Sequence, residues 1–80
     1  MIEYIKIAIG QLDYLDPILG LDLQEALAEL SKGREGHVLY LLKTVRAECR
    51  DRAYVHDPGT LRAGWANVTN ALNEAIKELS

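Results

Sequence analysis

The sequence predicts an all-α protein: a small bundle of four helical segments in which helices 3 and 4 form a long hairpin, and which assembles into oligomers. Three observations carry this. Apolar residues recur at spacings of three and four through most of the chain, the repeat of a helix face. The runs are separated by Asp-Pro and Gly-containing breaks of the kind that start and stop helices. Finally, 49% of the 80 residues are hydrophobic, a generous share for a chain too short to hide much of its surface alone.

The first segment runs from about Ile2 to Leu15. Ile2, Ile5, Ile9 and Leu12 share one helix face, and Tyr4, Ala8 and Leu15 widen it enough to meet two neighbours. Residues 2–9 also fit a strand, because Ile5, Ile7 and Ile9 alternate with Lys6 and Ala8 and isoleucine favours strands. The only strand that could pair with it is "HVLYLLKTV", and two strands make a poor sheet. Asp16-Pro17 breaks the pattern, since the residue before proline is pushed away from helical geometry. A second helix is expected to begin at Asp22, with Glu25 completing a capping box. Leu23, Ala26, Leu27 and Leu30 form its stripe, and Gly33 suits the left-handed turn that ends it.

The third helix covers about Gly36–Val55. Val38, Leu41, Leu42, Val45 and Cys49 fall in one sector and Ala53 continues it, so Cys49 packs as a small hydrophobe. Glu48 and Arg52, four apart, are placed to pair. "HDPGT" then interrupts the chain, with Asp57 as a cap and Pro58 at the first helical position. The fourth helix runs from about Pro58 to Leu79, and Leu61, Trp65, Val68, Leu72, Ala75, Ile76 and Leu79 make its stripe. Trp65 is the largest core anchor, with one indole N–H to satisfy. Short connections favour antiparallel neighbours, and a hairpin of two ~20-residue helices is ~30 Å long. Helices 1 and 2, laid across it, are too short to cover it fully, which implies a second copy sharing the core. Residues 1–80 read as one domain, without repeats or linkers.

Several function classes are excluded or disfavoured by composition. Cys49 is the only cysteine and cannot pair within the chain. Cys49, His37 and His56 lack metal-ligand spacing. No glycine-rich phosphate loop follows a strand. Ser31 and Ser80 sit in no nucleophile-elbow context, and His56-Asp57 is adjacency without a third partner. The expectation is therefore a non-enzyme with no cofactor. No run approaches the ~20 apolar residues of a membrane span. "MIEYIKIAIG" has neither a basic leader nor a small-residue cleavage site, so a cytoplasmic location is expected. The acceptor-like Asn67-Val68-Thr69 is discounted on the same ground.

Charge is unevenly distributed. Residues 1–31 carry one base and six acids, whereas residues 32–52 carry six bases and three acids. The two blocks can attract one another within a chain, between copies, or through a partner. Lys43, Arg46 and Arg50 form a line along the edge of helix 3, with Leu39 and Tyr54 beside them. Arginine forks bind carboxylates and phosphates at two points, and the rings of Tyr40 and Tyr54 could stack on a base or a guanidinium. An acidic protein surface is the expected partner, with a nucleotide or other anion as the alternative. Generic DNA binding fits poorly, because the net charge is −3. The turn "SKGREGH" is also longer than that of a helix-turn-helix.

"AGWANVTNALN", Ala63–Asn73, contains no charge at all. Its apolar half belongs to the core stripe. The rest of the arc is filled by Asn67, Asn70 and Asn73 with Ala63, Ala66 and Thr69, where exposed helices usually carry better helix formers. Small residues admit a close neighbour and amides both donate and accept. Asn67, Asn70 and Asn73 are thus the expected self-association face, or the lining of a ligand pocket.

"WANVTNAL" looks like the first helix of a tetratricopeptide repeat, but "NEAIKEL" continues where that motif turns, which rules out an array. "TLRAGWANVTNALNEAI" resembles in rhythm the last helix of the phage anti-CBASS cyclic-nucleotide sponges, through Gly64 and its flanking apolar positions. That resemblance implies a small helical oligomer that sequesters a signalling nucleotide, an anti-defence inhibitor, and assigns no individual residue. The expected function is that of a small interaction protein, an adaptor, inhibitor or accessory subunit of phage or mobile-element type. It would act by binding and self-association.

Overall fold

Periodicity places four helices on this chain, and four are found. The computed structural model describes the backbone of residues 1–55 and 60–80, and the side chains of residues 1–53 and 61–80. The helices are α1 (Ile2–Leu15), α2 (Pro17–Ser31), α3 (Glu35–Val55) and α4 (Thr60–Leu79). No strand occurs among the described residues, so residues 2–9 are helical. The expected cap at Asp57 and proline at Pro58 lie outside the described residues.

The start of α2 corrects one expectation. Asp22 does not cap it; Asp22 lies in its second turn. The cap is Asp16, whose Oδ1 accepts from the backbone N–H of Ile18 and Leu19 at 3.1 and 3.2 Å. Pro17 takes the first helical position, where its missing N–H leaves nothing unsatisfied. Asp-Pro is therefore a restart rather than a gap, and the extended backbone of Asp16 forms the whole α1–α2 connection. At the other end Gly33 adopts φ +75°, the left-handed turn expected of it.

Each helix packs on the next in sequence and α4 closes on α1, while α1–α3 and α2–α4 are diagonal. The α1–α4 and α2–α3 seams are antiparallel. The N-terminal amine of Met1 meets Glu78, while Leu15 lies against Gly64. Asp16 meets Arg52, while Glu29 meets Arg34. These pairs also show that α1 and α2 stop about one turn short of the ends of α3 and α4 at Val55 and Thr60, so that turn of the long helices is left uncovered. Leu61 lies on that overhanging turn and is 55% exposed instead of buried. Ile2, at the first turn of α1, is half exposed as well.

The core closes inside one copy. Ile5, Leu12, Leu23, Val38, Leu42, Val45, Cys49, Val68 and Leu72 are fully buried, and Trp65 nearly so. The accessible surface of 4917 Å² is close to the ~4,800 Å² expected of a folded monomer of this mass. Gly64 has a packing role in this arrangement: a methyl group there would come within 3.2 Å of Leu15 Cδ1. Gly10 is the contrast, being exposed and mid-helix with nothing within 4 Å of an added methyl. Glycine inside a helix is ~0.8–1.0 kcal/mol worse than alanine. Gly10→Ala should therefore raise unfolding stability by about 0.5–1 kcal/mol in urea titration. A loss instead would show that Gly10 serves a contact outside the single chain.

Candidate functional site

The basic block of the sequence divides into two groups. Arg34 and Lys32, both exposed, pair with the buried carboxylate of Glu29 at 3.3 and 3.7 Å. Arg52 meets Asp16 and, as expected from their spacing, Glu48, with Nε 3.5 Å from Oε1. Its guanidinium also lies over Trp65, 5.1 Å from the ring centre, a favourable cation–π placement. These contacts satisfy the expected attraction between the acidic arm and the basic middle.

Lys43, Arg46 and Arg50 do not take part in it. Among the described residues none of the three has an acid within ion-pairing distance. Lys43 and Arg50 are exposed. Arg46 is half-buried and its Nη1 donates to the amide oxygen of Asn73 at 3.0 Å. That bond sets the register of α3 on α4. On α4 the positions 62, 66, 69, 73 and 77 repeat at three and four, so they share the side that faces α3. Arg62 and Lys77 therefore join Lys43, Arg46 and Arg50 along the α3–α4 seam, with Ala66, Thr69 and Asn73 between them. Among the described residues the seam carries five bases, and Glu35, four residues before Leu39, stands on the same side of α3 at its far end. Arg62 and Lys77 were not singled out in the sequence, although their spacing from Asn73 could have indicated them once Asn73 was placed.

The expected self-association face is split. Asn73 is half-buried and occupied by Arg46, whereas Asn67 and Asn70 are exposed on the outside of α4. The Thr69 hydroxyl donates back to the carbonyl of Trp65. Tyr40 does not flank the basic line. It stacks on His37, ring centres 6.2 Å apart, and His37 Nε2 lies 3.7 Å from Glu25 of α2, so this ring belongs to the α2–α3 side. The side chain of Tyr54 lies outside the described residues.

Two groups have shifted acidity. Burial pushes the Cys49 thiol up to about 12, so it stays protonated at neutral pH and packs as a hydrophobe. Hydrogen bonds from the Leu19 backbone N–H and then from Arg52 hold Asp16 below the usual carboxylate range. Among the described residues no three His, Cys, Asp or Glu side chains converge as a metal site. Likewise, no helix among them is long and apolar enough to cross a membrane. No known family, curated protein or solved structure matches this chain.

Proposed function

We propose that this is a small, non-enzymatic, cytoplasmic interaction protein of phage or mobile-element type. It acts as an adaptor, inhibitor or accessory subunit by binding an acidic partner surface along the α3–α4 seam. The supporting observation is that, among the described residues, five bases share this seam and none of them has an acid within ion-pairing distance. An unpaired basic stripe attracts anionic surfaces and steers their approach. The α3–α4 hairpin is its rigid spine. The half-buried Arg46, fixed by Asn73, presents a guanidinium of set orientation, and exposed Lys43 and Arg50 add charge on either side. In this reading copies also self-associate, and the outward amides Asn67 and Asn70 are one candidate contact.

The fixed Arg46–Asn73 pair also supports a second reading, in which the seam holds a nucleotide or other anion between copies. The two readings separate in one design. Affinity capture with the wild-type chain and with Arg46→Glu is expected to lose an acidic protein partner in the variant. A thermal-shift series with mono- and cyclic nucleotides is expected to stay flat. A nucleotide at a hundred times its dissociation constant would stabilise by ~2.7 kcal/mol, and a shift of that size, abolished by Arg46→Glu, would favour the second reading. Equal capture by both chains would remove the seam from either role.

A further inference from the structure

On the other side of α3 lies a groove of opposite character. It opens between α2 and α3 with a volume of about 310 Å³, lined by Asp16, Ile18, Leu19, Asp22, Thr44, Glu48 and Arg52. Three of these are acids and one is a base, and Arg52 is already committed to Asp16, Glu48 and the Trp65 ring. Asp22 has no ion-pair partner among the described residues. Ile18 is 78% exposed on the groove wall. Tyr40, 64% exposed, stands one turn from Thr44 along α3, and Glu25 lies two turns from Ile18 along α2. The groove thus combines an apolar wall with an acidic rim.

Long basic side chains fit such a surface, because their methylene stems lie on apolar groups while the head group stays with carboxylates. The chain itself displays a row of them on the α3–α4 seam. Groove and seam flank opposite sides of one rigid helix, so a single copy cannot fold one onto the other. We propose that the self-association named above is made by this pairing: the α2–α3 groove of one copy receives the basic α3–α4 seam of a second copy, with Lys43 and Arg50 against Ile18, Asp22 and Glu48. The proposal rests on the self-association reading and replaces an amide-to-amide contact with a charge-complementary one.

Sedimentation equilibrium of the full chain tests it, with three sets of variants at exposed positions and helix content checked by circular dichroism. Ile18→Lys spoils the groove alone, and the double variant Lys43→Glu/Arg50→Glu spoils the seam alone. Each should weaken association by about tenfold or more, since like charges brought together across a contact cost several kcal/mol. Mixed in equal amounts, the two should restore a 1:1 dimer, because one intact groove then meets one intact seam. Association of the wild type should also weaken as salt rises. Two monomeric variants that stay monomeric when mixed would overturn the pairing. So would an Ile18→Lys chain that associates like the wild type; if Asn70→Lys then dissociates, self-association stands and its contact is the amide face. A wild-type chain that is monomeric throughout would end the pairing and the self-association reading together. The capture experiment on the seam would still test partner binding by itself.

Discussion

Leu72→Ala is expected to remove about 2–5 kcal/mol of stability, the range for truncating a leucine in a close-packed core. Leu72 is fully buried near the middle of α4, the helix that packs on both α1 and α3. Lost transfer energy and the cavity left behind both contribute, and a helix held from two sides has little freedom to collapse into the gap. A domain of this length has roughly 4–12 kcal/mol in total, so the variant should lose a large part of it. Urea titration followed by circular dichroism measures the change. A loss below about 1 kcal/mol would show that the α4 stripe is not the centre of the core.

Asp16→Ala comes next in size. The side chain caps α2 with one oxygen and holds Arg52 with the other. Losing a cap costs about 1 kcal/mol, and losing a hydrogen bond between charged groups about 1.5–3 kcal/mol. The two share one residue and will not simply add, so about 2–3 kcal/mol is expected. Asp16→Asn keeps a capping oxygen but no charge and should fall between alanine and wild type. The pH dependence has a defined sign. The folded-state pKa lies below the ordinary 3.8, so the contribution is complete above that value and is lost as pH falls through the depressed one. Stability of the wild type should therefore decline with acid below about pH 4, and Asp16→Asn should flatten that decline. Parallel acid limbs in the two proteins would show that Asp16 is not held by Arg52.

The four helices were legible because each carries its own repeat, and a stripe such as Val38–Cys49 needs no knowledge of its neighbours. Asp16-Pro17 was legible in principle. The same dipeptide at 57–58 reads as a helix start, but at 16–17 the weaker box at Asp22 and Glu25 competes with it. The basic line was half visible. Lys43, Arg46 and Arg50 declare themselves by spacing on one helix, whereas Arg62 and Lys77 join them only through the rotation of α4 against α3, which no single-helix pattern contains. The uncharged run Ala63–Asn73 reads in the sequence as an association face or a pocket lining. Part of that contact occurs within the chain, where Gly64 admits Leu15 and Asn73 receives Arg46. The α2–α3 groove left no trace in the sequence, because its walls come from two helices whose pairing had to be seen.

The ring of four seams has a consequence for how the chain finds its fold. Three seams join helices adjacent along the chain and can form by closing short loops, which takes little entropy. The fourth, α1 on α4, brings together segments from the two ends, with Met1 beside Glu78. Almost all of the topological search is therefore concentrated in that one docking event. Proteins dominated by local contacts fold in microseconds to milliseconds, and the end-to-end seam is the one that lengthens the search here.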